Sequence, residues 1–202
     1  IRLNAQIIDT KTKDVLKSFE INWPYNEKKI FDLTDSLRKR ITDFLLISKL
    51  IMENPFFKHY KPLTTSPEAF RYFIYGNNAE NTAVKREDWS TARDWYLKAL
   101  AIDSNYGQPM FGLVTVYRFL GLMEESVHWL QKIKQKKDQW PFLDQLEASW
   151  VYAYSYEPPE EGIRYLRQIL QTDDQNPTIF YLLGVTYVEK LEQYDKAIPE
   201  FQ

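Results

Sequence analysis

The sequence predicts a mainly α fold: an α-α superhelix of about four helix pairs, preceded by a β-hairpin and one helix from the end of a small α/β domain. Three observations predict it. A small residue followed four places later by a bulky one recurs as Ala92/Tyr96, Ser126/Leu130, Gly162/Leu166 and Ala197/Phe201, at spacings of 34, 36 and 35 residues. A second pattern keeps step upstream: Phe180-x-x-Leu183-Gly184-x-x-Tyr187 before Ala197, Met110-x-x-Leu113-Val114-x-x-Tyr117 before Ser126, and Tyr72-x-x-Tyr75-Gly76 before Ala92. Ahead of these, Ile1, Leu3, Ala5 and Ile7 alternate with Arg2, Asn4 and Gln6, which is the period of a half-buried strand.

Residues 1–52 form the first part. The polar stretch Asp9 to Asp14 reads as a turn, after which Phe19, Ile21 and Trp23 share one face and Ser18, Glu20 and Asn22 the other, completing a hairpin. From about Glu27 the period lengthens. Ile30, Leu33, Leu37, Ile41 and Phe44 then make an apolar helical stripe, with Asp32, Asp35, Arg38, Lys39 and Asp43 away from it. Two strands and a helix bury too little surface to stand alone. The chain also opens without Met and stops inside the last predicted helix, so we expect a piece of a longer protein.

Residues 53–66, with Pro55 and Pro62, read as a linker whose Phe56, Phe57, His59 and Tyr60 are apolar enough to dock on the first helix pair. Ser66-Pro67-Glu68 restarts helix, as N-cap, first helical residue and acid at the positive end of the dipole. The pairs then span 67–106, 107–140, 141–176 and 177–202. Close packing of antiparallel helices explains the small/large pairing, because a small side chain on one helix accepts a large one from its neighbour. The third pair is degenerate: Leu146, Ser149, Trp150 and Ala153 carry the pattern, and Gly162 is expected to make room for Trp150. Tyr72, Tyr75, Trp89, Tyr96, Tyr117, Phe180, Tyr187, Tyr194 and Phe201 are expected in the core.

The spacing and the Phe180–Tyr187 motif resemble tetratricopeptide repeats, with Phe in place of Trp at the motif's start. The segments Ile1-Arg2-Leu3-Asn4-Ala5-Gln6-Ile7-Ile8-Asp9, Val15-Leu16 and Ile30-Phe31-Asp32-Leu33-Thr34-Asp35-Ser36-Leu37 resemble the last hairpin and helix of the TolB-like or FlgO-like amino-terminal domain. Ser66-Pro67-Glu68-Ala69-Phe70-Arg71-Tyr72 resembles the entry to the repeats in such bacterial signalling proteins. Lys13 departs from the family, which carries Gly in this turn, and a left-handed conformation would cost Lys about 1 kcal/mol. The resemblance implies a regulatory or assembly role, with the repeats as docking surface. Any catalytic or DNA-binding output, such as a kinase, a cyclase or a helix-turn-helix, would lie on another domain.

Composition narrows the chemistry. A net charge of −2 disfavours a nucleic-acid partner. The cluster Lys132, Lys134, Lys136 and Lys137 falls at a predicted helix end, where cations meet the negative end of the dipole. No apolar run approaches the ~20 residues of a membrane span. Zero cysteines exclude disulfides and thiolate sites, six scattered glycines make no phosphate loop, and His59 and His128 lack a metal-ligand spacing. Glu124/Glu125, Glu160/Glu161 and Asp173/Asp174 read as caps or solvated faces. No catalytic residue, cofactor or metal is expected.

The expected function is non-catalytic binding of a protein or peptide on the concave face of the first helices. The helical phase turns Phe73, Asn77 and Glu80, then Phe111, Thr115 and Arg118, then Glu147, Val151 and Tyr154, and lastly Tyr181, Val185 and Val188 toward it. Aromatic anchors mixed with a few polar groups suit a peptide groove, and equally a groove filled by the chain's own extra helix. Phe73 stands where the heat-shock chaperone class of these repeats carries a carboxylate-clamping Lys, so a chaperone tail is not the expected ligand. The competing readings are the sensory region of a signalling enzyme or transcription regulator, and self-association into a homo-oligomer.

Overall fold

The computed structural model describes residues 2–22, 30–57 and 61–201. Ile1, Trp23, the side chain of Ile30, His59 and Tyr60, each given a place above, lie outside the described residues. β1 (Arg2–Ile8) pairs antiparallel with β2 (Val15–Asn22), and the register Leu3↔Ile21, Ala5↔Phe19 sets one alternate row of side chains toward α1 (Ile30–Glu53). Phe19 is buried there, edge-on to Phe44 with ring centroids 5.9 Å apart, and the Arg40 guanidinium donates to the Glu20 carbonyl at 3.2 Å. The turn is built on Asp9, whose carboxylate accepts from Lys11 N at 2.7 Å and Thr12 N at 3.1 Å. Lys13 takes the left-handed conformation, at φ 66°.

Four helix pairs follow: α2 (Pro67–Asn81) with α3 (Arg86–Ile102), α4 (Gly107–Phe119) with α5 (Met123–Lys136), α6 (Phe142–Tyr156) with α7 (Pro159–Leu170), and α8 (Pro177–Leu191) with α9 (Tyr194–Glu200). Their ends follow local chemistry. Ser66 caps α2 through a hydrogen bond from Ala69 N, with Pro67 in the first turn, and Asn176 caps α8, accepting from Thr178 N at 3.1 Å. α4 stops at Gly121, whose φ of 73° favours glycine and lets Leu122 N reach back to the Tyr117 carbonyl at 2.8 Å. Lys134 and Lys136 occupy the last turn of α5. There Lys136 donates to Asn105 Oδ1 at 3.1 Å, and Lys132 lies over Trp129.

Each first helix packs on its own second helix, and each second helix on the next pair. Ala92 and Tyr96 are buried, and the Tyr96 ring is wedged between the backbones of Gly76 and Gly112, where an added Cβ would stand 2.5 Å and 2.4 Å from it. Ser126 is buried beside Leu130 and donates to the Val114 carbonyl at 2.9 Å, tying α5 to α4. Gly162 does face Trp150, but a Cβ there would make an ordinary 3.6 Å contact, so the fit does not depend on glycine. Three aromatics expected in the core are exposed: Tyr75, which lies edge-on to Trp95, and Tyr194 and Phe201 on the last pair. Phe201 still rests on the Gly184 backbone, as its place in the pattern implies.

Among the described residues the core has two clusters. One runs from Ile47 and Phe57 through α2–α5 to Ala148 and Val151. The other joins Leu146, Leu166, Ile169, Leu170, Ile179 and Leu183. Trp150 packs against both, and its Nε1 is buried without a hydrogen-bond partner.

Candidate partner-binding surface

The first helices α2, α4 and α6 touch in sequence, and Tyr154 of α6 reaches Glu189 of α8. They make one face, and its amino-terminal half is covered by the chain itself. Phe57, in the 3₁₀ turn Pro55–Phe57, is buried against Phe70 and Phe73 at 6.0 Å and 5.7 Å between ring centroids, as expected of a docked linker; Phe56 beside it is exposed. Farther on, Leu63 N donates to Gln108 Oε1 at 3.1 Å, and Gln108 Nε2 donates to the Lys61 carbonyl at 3.2 Å. Gln108 is buried and lies 3.4 Å from Asp144 Oδ1, so its amide bridges the linker to α4 and α6.

Several predicted contact residues lie in the interior. Phe73 is 4% exposed, packed between Phe57, Phe70, Tyr96 and Tyr106, and Phe111 is 8% exposed, edge-on to Trp140 at 5.7 Å. Neither is free to anchor a ligand. Val151 is buried as well. Desolvation, and then the charge of Asp144, push the Glu147 carboxyl up to about 8, while desolvation pushes Asp144 up to about 6.

Asn77 and Glu80 come together, but around Tyr96. The Tyr96 hydroxyl donates to Glu80 Oε2, and Asn81 Nδ2 donates to Asn77 Oδ1 at 2.9 Å. Burial pushes the Glu80 carboxyl up to about 7, against the Tyr96 hydrogen bond, which lowers it. This pair serves the packing of the first two units. Thr115 is half-buried.

The carboxy-terminal half of the face is different. Tyr181 lies against Phe201, with ring centroids 6.1 Å apart, whereas Arg118 and Tyr154, predicted from successive units, meet at the Tyr154 ring. The Arg118 guanidinium lies 5.3 Å from its centroid and Lys190 Nζ 4.4 Å, while the Tyr154 hydroxyl donates to Glu189. Desolvation, then the hydrogen bond to Glu189 and its charge, raise the Tyr154 phenol well above its usual range; Arg118 opposes and Tyr181 adds to the effect. Tyr154 is therefore a neutral phenol at any ordinary pH. Tyr181 is 59% exposed, with Val185 and Val188 half-buried on the same helix. Beside the cluster, Arg118 and Lys190 line a hollow of ≈ 100 Å³ with Met123, Leu130, Ser155 and Tyr156.

Four residues escaped the sequence reading: Gln108, Asp144, Glu189 and Lys190. The last two directly follow Val188 in the chain but lie off the helical phase of Tyr181, Val185 and Val188. Gln108 and Asp144 sit two residues before the motif positions Met110 and Leu146, at a polar point in an otherwise apolar helix start.

A broader hollow of ≈ 480 Å³ lies over the hairpin, lined mainly by polar strand residues such as Asn4, Gln6 and Ser18, with Arg2 and Glu20 pairing at 2.6 Å. It gathers no reactive group. Among the described residues no three His, Asp or Glu side chains are placed to hold a metal ion, and no helix is long and apolar enough to cross a membrane. No protein-family model matches the chain, and no curated protein matches it.

Proposed function

We propose that this chain is a non-catalytic docking module of tetratricopeptide type, which binds a protein or peptide segment on the open half of its first-helix face. The observation that carries the proposal is the meeting of Arg118 and Tyr154, from successive units, with Tyr181 exposed on the first helix of the next unit, on the half of the face that the linker leaves uncovered. Large amphipathic rings beside a guanidinium are the side chains that most often dominate binding energy at interfaces. The resemblance of β1, β2 and α1 to the end of a TolB-like or FlgO-like domain is consistent with a regulatory or assembly protein.

The test is selection of a random heptapeptide display library on the immobilised protein. Enriched peptides should lose about tenfold or more in affinity for Tyr181→Ala and Tyr154→Ala, and keep it for Phe56→Ala, on the exposed side of the linker. Peptides that bind all three variants alike would remove the assignment.

A further inference from the structure

We infer that the edge of the stack where each first helix turns into its second is a docking ridge for a basic amphipathic helix of another protein. This edge is distinct from the first-helix face, and its occupant is independent of any segment docked there.

Each pair runs out and back, so the turns at 82–85, 120–122, 157–158 and 192–193 come to one side of the stack. Apolar side chains stand in the open there: Val84 is 87% exposed, Phe119 64%, Met123 56% and Tyr156 53%. They are joined across units. Phe119 lies flat on Trp89 between the first and second units, with ring centroids 4.2 Å and planes 9° apart. Four residues on, past the tight Gly121 turn, Met123 lines a hollow of ≈ 100 Å³ with Tyr156 of the third unit, over Val127 and Leu130. Single exposed apolar residues need no explanation, but a joined row across three units marks an interaction surface.

Charge selects the partner. Within one helical turn either side of these four turns, and leaving aside Glu80, which the Tyr96 hydroxyl holds, ten carboxylates stand against five cations. The edge is therefore net −5, whereas the whole chain is −2. The helix dipole accounts for first-turn acids such as Glu124 and Glu160. It does not account for Glu157 and Glu192, which close α6 and α8 at their negative ends, Glu192 in the left-handed conformation at φ 55°. Glu161 is held by Arg164, but among the described residues Glu124, Glu125, Glu157, Glu160 and Glu192 make no ion pair. A second copy would set two acidic edges face to face and be repelled, while a basic partner is drawn in. Spacing selects a helix. Packed helices of neighbouring units lie about 8–10 Å apart, and residues seven apart on an α-helix about 10.5 Å, so one helix along the ridge presents an apolar side chain to each unit. Side chains on one face of a strand repeat at about 6.7 Å and fall out of step.

The test is calorimetric titration of the protein with a peptide of about fourteen residues of Leu and Lys, spaced so that Leu takes one helical face. It should bind, and more weakly as NaCl is raised. Affinity should fall about tenfold for Phe119→Ser/Met123→Ser, and again about tenfold for Glu125→Gln/Glu157→Gln/Glu192→Gln, and be unchanged for Tyr181→Ala. A scrambled peptide of the same composition and a Leu/Glu counterpart should not bind. Thermal melting checks that each variant is folded; should the serine variant melt lower, the glutamine variant, altered only in surface charge, carries the test. Equal binding by every variant, binding of the Leu/Glu peptide, loss with Tyr181→Ala, or no heat at millimolar peptide would each overturn the inference. A protein that dimerises in light scattering and becomes monomeric with Phe119→Ser/Met123→Ser would give the ridge to a second copy instead. The heptapeptide selection, which reads the first-helix face through Tyr154 and Tyr181, stands apart from all of these outcomes.

Discussion

At Tyr96 one ring separates two helix backbones, and the two glycines that admit it are not interchangeable with alanine. A Cβ on Gly76 or Gly112 would come within 2.5 Å of a ring that is 1% exposed and hydrogen-bonded to Glu80, so the ring cannot move aside. Gly76→Ala and Gly112→Ala should each destabilise by about 2–3 kcal/mol in urea unfolding. Gly162→Ala, meeting Trp150 at an ordinary distance, should be neutral or stabilise by about 0.5–1 kcal/mol, because alanine costs a helix less entropy. Equal losses at all three sites would show that glycine helicity, not ring packing, sets the effect. Two half-buried, desolvated carboxyls make a second residue-scale case. Glu80 and Glu147 are raised from 4.5 to about 7 and about 8, so between pH 4.5 and 8 the folded state holds more protons than the unfolded chain. Their stabilising contribution is full below pH 4.5 and is lost as pH rises through those values. Stability should therefore fall from pH 5 to pH 8, and Glu80→Gln/Glu147→Gln should flatten the decline. A double variant with the wild-type slope would contradict it.

Among the elements, the paired helices were legible because their signals are local: the small/large pairs and the Ser66-Pro67-Glu68 start each act within a few residues. The turn before β2 was legible on the same ground. Lys13, expected to pay for a left-handed conformation, adopts φ 66°. Lys13→Gly should accordingly stabilise the hairpin by about 1 kcal/mol, seen as slower amide exchange at Asp9 N and Lys13 N, which close the turn onto Asp14 O and Asp9 O. Unchanged or faster exchange would mean that the turn gains nothing from glycine. The face was only half legible. Helical phase gives the direction of Phe73 and Phe111 but not what lies opposite, and the covering segment reaches Gln108 from 45 and 47 residues away. Arg118 and Tyr154, which the phase puts on one face, lie 5.3 Å apart from guanidinium to ring centroid, and Tyr181 is exposed. Lys190 was missed because it stands about 200° round the helix from Val188, off the phase that Tyr181, Val185 and Val188 share.

For the whole molecule, stability in a stack of helix pairs is a sum of units and of interfaces between neighbours, so cooperativity depends on the weakest junction. Here that junction is at the third unit, where the core divides between α6 and its neighbours. Trp150 is the side chain that packs on both clusters, filling the position where the other units carry Gly76, Val114 or Gly184. Its unpartnered Nε1 is tolerated for the sake of that span. In the intact protein, tryptophan fluorescence and far-ultraviolet circular dichroism should follow one urea transition. Trp150→Ala opens a cavity worth about 3 kcal/mol and removes the bridge, so α7–α9 should unfold first. The remaining described tryptophans, Trp89, Trp95, Trp129 and Trp140, all precede α6, so fluorescence then reports the amino-terminal cluster alone while dichroism reports every helix. The dichroism midpoint should fall well below the fluorescence midpoint. Coincident midpoints in the variant would mean that the two clusters are coupled through the α6 backbone or the α7–α8 contact, and that Trp150 fills space without joining the halves.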